Sequence, residues 1–450
     1  MKFEITKKFV EELKKALNQN DESFVLEKIE FLHPADIASI LDEASLEEAQ
    51  RLYQLLAPEK AADVLIELEE DVREKFLASL SSKEIAEQFI DNLDSDDAAD
   101  VISELPEEKQ EEVLALLEDV DQASDIVDLL HYPEGTAGSL MGKELVKVID
   151  EWTVAQSIRE LRAQVNEVEH VYTIYVTDDK DRLLGTLSMK SFLYVSAKSK
   201  IKEFYSDEVQ SVKATTPSDE VAKLMEKYDL VVLPVVDELG RLIGRITIDD
   251  VVDVIIEESE KDYQMASGIS ENIDSGDKIW VLTRARLPWL LIGLLGGIFG
   301  AQVIGIYEDQ LRIYPEMAFF IPLIAAMGGN VGVQSSAIIV QGLASDSLGT
   351  KGLIARLSKE FSVAMINGLI CSAAIMVYNL LFSNSMELSF TVSISLLAVI
   401  VFAAIFGTFI PLLLDKYKID PALATGPFIT TMNDIIGLLL YFMIGRMMYL

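Results

Sequence analysis

Three patterns of apolar and polar positions follow one another along the chain of 450 residues. In residues 1–130, apolar residues recur three and four positions apart, as in Ile37, Ile40 and Leu41, which is typical of short amphipathic helices. Between residues 138 and 258, short apolar runs alternate with charged turns and helical stretches. Five long apolar stretches complete the chain, over residues 287–306, 317–344, 361–386, 388–414 and 422–445.

The five apolar stretches predict membrane-spanning helices. Each has at least 20 residues, about the length that crosses a ~30 Å hydrocarbon layer as a helix. We therefore expect a transmembrane domain over residues 281–450, preceded by a connecting helix over residues 259–280. Lys and Arg in short flanks favour the cytoplasmic side. They number eight against two in favour of a cytoplasmic N-terminus and an external C-terminus, in a multi-pass protein of the cell membrane.

The first 130 residues predict an all-α, superhelical domain. Helix starts are indicated at Pro34, Pro58, Ser81 and Pro106. Similar six-residue pieces recur along this region, but their irregular spacing predicts a loose stack of short helices and not a strict solenoid.

An internal repeat marks residues 131–258. Residues 174–188 parallel residues 233–247 at an offset of 59, and each copy reads as a strand, a charged turn, a second strand and a helix. A helical stretch precedes each copy. The repeat predicts two α/β units, over residues 138–200 and 201–258.

Charge is distributed as unevenly as hydrophobicity. The chain has 38 basic and 74 acidic residues, a net charge of −36, and is nevertheless 50% hydrophobic. Residues 279–450 hold nine basic and nine acidic residues, so the whole excess lies in the first 278. This excludes a single globular domain and argues against a nucleic-acid partner, because the carboxylates would repel phosphates.

One acid lies inside the five apolar stretches, which contain no Lys, Arg, Glu or His. This residue is Asp434. A carboxylate at membrane depth costs several kcal/mol unless it meets water, a cation or a partner. Gly426 and Pro427 precede it, so we expect a broken helix whose carbonyls line a cavity, and Asn433 is a further candidate residue of the pore.

The second apolar stretch carries a matching break over residues 328–336. Gly329 allows close approach there, and Asn330 and Gln334 offer carbonyl oxygens, although a glycine-rich packing face would look the same. Oxygen ligands of this kind suit Mg²⁺ or Ca²⁺. Because the number of spans is odd, a pore would form between subunits.

The repeat resembles a tandem pair of CBS domains, the modules that pair to bind nucleotides. The second copy matches the family's nucleotide pattern at Gly244, Thr247 and Asp250. The resemblance implies a nucleotide such as ATP, held through Thr247 and Asp250, with a purely structural CBS pair as the alternative.

The order of the parts resembles the MgtE family of magnesium channels over essentially the whole chain. Its most specific residues are Gly329, Asn330 and Gln334 in the second span and Asp420 to Asp434 at the fifth. The resemblance implies a homodimer with Asp434 in an axial pore and a channel that closes when cytosolic Mg²⁺ is high. It also implies regulatory Mg²⁺ ligands at Asp96, Asp100, Asp229, Asp249, Asp250, Asp253, Glu258 and Asp420.

Two rival functions remain open at this point. One is transport of another divalent cation, such as Co²⁺ or Ca²⁺. The other is a membrane-anchored sensor of Mg²⁺ or nucleotide that carries no ion. An enzyme is not expected, since the apolar stretches contain no His and one Asp, so the usual acid–base groups are missing.

Overall fold

The computed structural model describes residues 6–42, 44–165, 168, 170–270, 273, 277–344, 352–382, 385–424 and 426–449. The chain divides into two compact units, Met1–Ile255 and Ile256–Leu450. They are described in turn.

The first part of the N-terminal unit is helical, as the apolar spacing predicts. Its helices are α1 (Lys7–Asn18), α2 (Glu22–Ile29), α3 (Pro34–Asp42), α4 (Leu46–Tyr53), α5 (Pro58–Ile66), α6 (Glu70–Ala78), α7 (Ser82–Gln88), α8 (Ser95–Ser103), α9 (Glu107–Leu114) and α10 (Val120–Leu129).

Local chemistry fixes the starts of these helices. Ser45 and Ser81 each form a capping box. The serine hydroxyl accepts from the backbone N–H of the Glu three residues on, and the side chain of that Glu accepts from the backbone N–H of the serine. Pro34 and Pro58 begin α3 and α5, where a missing N–H does no harm. The predicted starts are therefore confirmed, and the buried faces include Ile37, Ile40 and Leu41.

Two small sheets of the same topology come next along the chain. The first contains β1 (Lys147–Ile149), β2 (Ile174–Thr177) and β3 (Leu183–Leu187), with α11 (Val154–Gln164) between β1 and β2. The second contains β4 (Val212–Lys213), β5 (Val232–Val236) and β6 (Leu242–Thr247), with α12 (Ser218–Tyr228) between β4 and β5. In each sheet the first pair is parallel and the second antiparallel, which confirms the repeat.

Each copy has a glycine at the equivalent position, Gly185 or Gly244, and close backbone approach requires it in both. A Cβ at Gly185 would lie 2.0 Å from the carbonyl oxygen of Ser206, and a Cβ at Gly244 would lie 2.9 Å from that of Gly142. Another segment of the chain thus passes against each sheet where a side chain would block it.

The two copies differ beyond their last strand. After β3 the chain forms only a short 3₁₀ helix (Met189–Leu193), whereas after β6 it forms α13 (Ile248–Ala266). In the first copy the carbonyl groups of Ala197 and Ser199 turn back to accept from the first N–H groups of α11. The helix predicted after the second strand of each copy is thus only a short 3₁₀ helix in the first copy.

The segment between the CBS-like repeat and the membrane unit is partly described. Helix α13 extends to Ala266, and Gly268, at φ +81°, ends it in the left-handed region. The predicted connecting helix over residues 259–280 also includes residues 271, 272 and 274–276, which lie outside the described residues. The next helix begins at Ile279.

Among the described residues of the second unit, five helices are long and apolar enough to cross a membrane, which confirms the predicted number. They are α14 (Ile279–Ile306), α16 (Ile321–Ala344, preceded by a 3₁₀ turn from Pro315), α17 (Leu353–Phe382), α18 (Met386–Lys416) and α19 (Pro427–Tyr449); the short α15 (Glu308–Ile313) lies directly after α14.

The ends of these helices differ from the predicted stretches. The third helix begins at Leu353 instead of residue 361, since charged residues such as Arg356 and Glu360 continue it beyond the apolar window. It ends at Phe382, and Met386 begins the fourth helix. The fifth helix begins at Pro427, because the left-handed backbone of Gly426 (φ +57°) cannot continue a helix before it.

The predicted break over residues 328–336 is wrong. Helix α16 continues without interruption through this stretch. Its glycines lie at close helix crossings: a Cβ at Gly332 would lie 1.9 Å from Asn433 Nδ2, and a Cβ at Gly407 on α18 would lie 2.4 Å from the Gly332 carbonyl oxygen. Close packing of helices, and not an opening of the helix, explains these small residues.

Candidate functional site

The membrane carboxylate of Asp434 lies beside a glycine of the second span. A Cβ on Gly329 would be 3.6 Å from Asp434 Oδ1 and 2.8 Å from Thr430 Cγ2. Helix α19 thus places Asp434, partly buried, where α16 has no side chain. The Thr430 side chain already contacts this position, so a larger residue at 329 would displace Thr430 and crowd the acid.

The predicted amide ligands divide into two groups. Asn330 and Gln334, one turn apart on α16, are both exposed in the single chain. Asn433 is 1% exposed, it packs against Gly332, and neither of its side-chain polar atoms has a hydrogen-bond partner among the described residues. Asn433 is therefore placed inside the helix crossing, away from the face that carries Asn330 and Gln334.

One contact of the second span involves an acid that lies just outside the predicted third stretch. Ser335, which is 4% exposed, donates to Glu360 Oε1 at 2.6 Å and so links α16 to α17. The sequence signal was weak, because Glu360 immediately precedes residue 361, where the apolar stretch was taken to begin.

The N-terminal unit holds an acidic cavity of about 340 Å³. Its carboxylates come from α5, from α8 and its preceding turn, and from the start of α13. They are Asp63, Asp94, Asp96, Asp97, Asp249 and Asp250, and they share the cavity with His170, Tyr172, Arg245 and Thr247.

Burial and mutual repulsion disfavour the charged form of these acids. Burial raises the pKa of Asp96 well above its ordinary range, and the neighbouring carboxylate of Asp250 adds to this effect. Burial and the same neighbour raise the pKa of Asp97 to about 7. Burial likewise raises the pKa of Asp250 to about 6, against the hydrogen bonds from Thr247, which favour its charged form. A divalent cation would relieve this repulsion.

Hydrogen bonds hold the wall of the cavity in place. The backbone N–H and hydroxyl of the fully buried Ser95 donate to Glu144 at 3.0 and 3.1 Å, and the Lys143 N–H donates to Ser95 Oγ at 2.9 Å. Asp94, Asp96 and Glu144 bring carboxylate oxygens within 4.8 Å of one another, a spacing that one metal ion could bridge.

Arg245 contributes a basic side chain to this cavity. It is 8% exposed, lies 3.6 Å from Asp94 Oδ2 and sits 5.7 Å from the ring centre of Tyr172. Thr247 donates to Asp250 from both its N–H (3.2 Å) and its hydroxyl (2.7 Å), so the two residues of the nucleotide pattern are bonded to each other.

The predicted acids therefore fall into two sets. Asp96, Asp249 and Asp250 line the cavity. Asp100, Asp229, Asp253, Glu258 and Asp420 are exposed and do not line it. Sequence reasoning missed Asp63, Asp94, Asp97, Glu144 and Arg245. Only the Asp-rich run around Asp96 signalled part of this group, because the others are distant in sequence.

The fold defines a multi-pass membrane protein that groups carboxylate and amide side chains both within its spans and outside them. The chain belongs to the MgtE family: models described as the divalent cation transporter MgtE, the MgtE intracellular N domain and the CBS domain match residues 321–444, 32–135 and 201–257.

Two curated relatives are similar to this chain over most of their length. The chain is 32% identical to a magnesium transporter MgtE of Thermus thermophilus over 443 residues, 97% of each chain. It is 33% identical to that of Bacillus subtilis over 314 residues, 70% of each. A solved cytosolic domain of the Mg²⁺ channel MgtE in complex with ATP aligns with TM-score 0.50 at 35% identity, covering 54% of this chain and 99% of that one.

Proposed function

We propose that this protein transports Mg²⁺ across a membrane, with Asp434 as the acid that attracts the ion. The observation that carries the proposal is the placement of Asp434, a partly buried acid on a membrane-spanning helix, beside the side-chain-free backbone of Gly329. The magnesium transporters among the relatives support the choice of ion.

The exposed amides extend this proposal to a homodimer. Asn330 and Gln334 face outward from the single chain at membrane depth, where an amide without a partner is costly. A second copy with a water-filled pathway on the shared axis would cover them and bring two carboxylates together. Mg²⁺ dehydrates reluctantly, so amide oxygens would contact the water shell of the ion.

The direction of transport follows from the charged flanks. With the N-terminal unit in the cytoplasm, the membrane potential drives uptake by about 4.6 kcal/mol per 100 mV for a divalent ion. Reconstitution in liposomes with Asp434→Asn tests the site. We expect Mg²⁺ flux to fall at least about 100-fold, since several kcal/mol of ion attraction are removed.

Undiminished flux through Asp434→Asn would remove the acid from the pathway. Flux of Co²⁺ or Ca²⁺ that exceeds Mg²⁺ flux in the unaltered protein would favour the rival cation, and a protein that carries no divalent ion at all would favour the sensor.

We further propose that cytosolic Mg²⁺ closes the pathway by binding between carboxylates of the N-terminal unit. The cavity lined by Asp96, Asp97 and Asp250 supports this proposal, because its acids repel one another when no metal ion lies between them. Moving a gate from mostly open to mostly closed takes about 5 kcal/mol of differential binding, which several sites at about 1–2 kcal/mol each would supply. Protease cleavage within residues 259–278 should fall as Mg²⁺ rises, and a flat response over millimolar Mg²⁺ would contradict the model.

ATP is the proposed second ligand of the N-terminal unit. Thr247 and Asp250 match the CBS nucleotide pattern, and the aromatic ring of Tyr172 and the guanidinium of Arg245 share their cavity. The relative's cytosolic domain was solved in complex with ATP. Equilibrium dialysis of ATP with Tyr172→Ala tests the site, and we expect weaker binding by the variant.

A further inference from the structure

The third membrane-spanning helix carries a carboxylate that the proposed ion site does not use. Glu360 lies within α17 and is half-buried on the helix face that also carries Ala364 and Gly368. That face packs on α18, because a Cβ at Gly368 would lie 2.7 Å from Leu397 Cδ1. An acid on the protein-facing side of a membrane-spanning helix is costly and is typically retained for a function.

Glu360 reaches past its own helix pair to α16. The Ser335 hydroxyl donates to Glu360 Oε1 at 2.6 Å, a length typical of a charge-assisted bond, and Ser335 is 4% exposed. Ser335 lies three residues beyond Gly332, where α16 crosses α18 closely at Gly407. A directional bond from α17 is therefore added near the point where α16 and α18 touch through glycines.

The bond fixes the direction in which a neighbouring amide points. Ser335 directly follows Gln334, and Asn330 lies about one turn earlier; both amides are exposed in the single chain. With 3.6 residues per turn, holding the side chain of Ser335 in one direction also sets the directions of Gln334 and Asn330. Groups that recognise a ligand keep their geometry when supporting hydrogen bonds hold the element that carries them.

We infer that Glu360 is a positioning residue for ion recognition. Its bond to Ser335 fixes the rotation of α16 and so directs Asn330 and Gln334 towards the ion pathway; the inference rests on the proposed transport function. Glu360 acts through Ser335 and does not contact the ion. The role therefore requires an acceptor oxygen at residue 360 and not a negative charge.

Mg²⁺ flux into liposomes, measured with the full-length protein, tests this role. Ser335→Ala removes the donor and Glu360→Leu removes the acceptor, so each should raise the Mg²⁺ concentration for half-maximal flux about fivefold, with a smaller change in maximal flux. Glu360→Gln keeps an acceptor oxygen and should stay within about twofold. The matched control is Ser362→Ala, which removes a hydroxyl that donates to the Ser358 carbonyl of the same helix and should change neither quantity.

The double variant Ser335→Ala, Glu360→Leu shows whether the two residues act as one unit. Because each single substitution already breaks the same bond, the double variant should be no worse than either one, about fivefold. Effects that multiply to about 25-fold would mean independent roles and would overturn the inference.

Thiol labelling reports the direction of α16 without measuring transport. In a Cys371→Ala background, Gln334→Cys places a single thiol on the face of α16 that the proposal assigns to the pathway. A water-soluble thiosulfonate reagent should modify it about fivefold more slowly when Glu360→Leu or Ser335→Ala is added, and at the same rate with Glu360→Gln. Unchanged labelling in the first two would overturn the inference, and two substitutions keep the test decisive if one variant fails to fold.

The remaining outcomes separate positioning from other roles of Glu360. If Glu360→Gln is as damaging as Glu360→Leu, the charge itself attracts the ion and the positioning role is wrong. A lower thermal unfolding temperature with unchanged half-saturation and labelling would make the bond purely structural. An unaltered protein that carries no divalent ion would overturn the proposed transport, whereas normal saturation in both Ser335→Ala and Glu360→Leu would overturn this inference alone.

Discussion

Asp434 and the acids of the N-terminal cavity lie in contrasting electrostatic surroundings. In the membrane unit one carboxylate stands beside Gly329, and the surrounding order comes from helices packed on glycines. In the N-terminal unit several carboxylates crowd one cavity, where their pKa values are raised by burial and by each other. The comparison teaches that the membrane site depends on close helix packing and the N-terminal cavity on charge.

Adding a side chain at a close helix crossing should reduce the stability of the membrane unit more than any other change considered. Gly407→Val places a Cβ 2.4 Å from the backbone carbonyl oxygen of Gly332, which cannot move aside as a side chain could. We expect a loss of about 3 kcal/mol or more in stability and loss of transport. Thermal unfolding in detergent and liposome flux measure both.

The matched control for this substitution is Gly297→Val on α14. No atom outside its own turn lies within 4 Å of a Cβ at Gly297 among the residues that the structure describes. If this variant is as damaging as Gly407→Val, close helix packing is not the reason for the effect.

Removing protons should weaken the N-terminal unit in the absence of metal. The pKa values of Asp97 (about 7) and Asp250 (about 6) lie above the ordinary 3.8, so the folded unit holds protons that the unfolded chain has released. This stability is fully present below about pH 4 and is lost as the pH rises through about 7. We expect a fall of several kcal/mol in chelator, measured by denaturant unfolding.

Millimolar Mg²⁺ should flatten this pH dependence, because the cation replaces the protons between the carboxylates. The double variant Asp96→Asn, Asp97→Asn should flatten it without Mg²⁺. A slope that neither treatment changes would place the titrating groups elsewhere.

Removing charge from the cavity should also change the response to Mg²⁺. With Asp96→Asn, the concentration of Mg²⁺ that half-protects residues 259–278 from protease should rise about tenfold, the loss of one coupling of about 1.4 kcal/mol. Glu107→Gln, an exposed acid outside the cavity, is the control and should leave the midpoint unchanged. Equal shifts in both variants would reduce the effect to overall charge.

The smallest effect is expected at the hydrogen bond between Thr247 and Asp250. Thr247→Val removes the hydroxyl that donates at 2.7 Å and should lower stability by about 1 kcal/mol in chelator. Thr247→Ser keeps the donor and should restore most of it. If Ser behaves like Val, the hydroxyl bond is not the stabilising element.

Most of the fold could be predicted from local sequence patterns. The three- and four-residue spacing around Ile37 predicted helices, and the offset of 59 predicted two sheets of one topology, because both depend on neighbours in sequence. The glycines of residues 328–336 led to a wrong prediction of a helix break, since glycines occur both in interrupted helices and in tightly packed ones. Their role was decided by Asn433 and Gly407, which sequence does not place beside them.

The sites divide in the same way. Asp434 could be found from sequence, because an acid in an apolar stretch is unusual wherever the helix packs. The cavity around Asp96 could be found only in part. Glu144, Asp94 and Arg245 reach it through the packing of the helical domain on the CBS-like sheets, which leaves no periodic trace in the chain.

Asn330 and Gln334 have a consequence for the life of the protein before it is assembled. A newly inserted chain presents both amides to hydrocarbon, and interhelical hydrogen bonds of such groups are worth about 1–2 kcal/mol in model peptides. In the proposed homodimer a second copy covers this face, so the unassembled chain would be the less stable species. The residues proposed to meet the ion would also drive biogenesis, so substitutions there would alter how much assembled protein a cell accumulates as well as how fast it conducts.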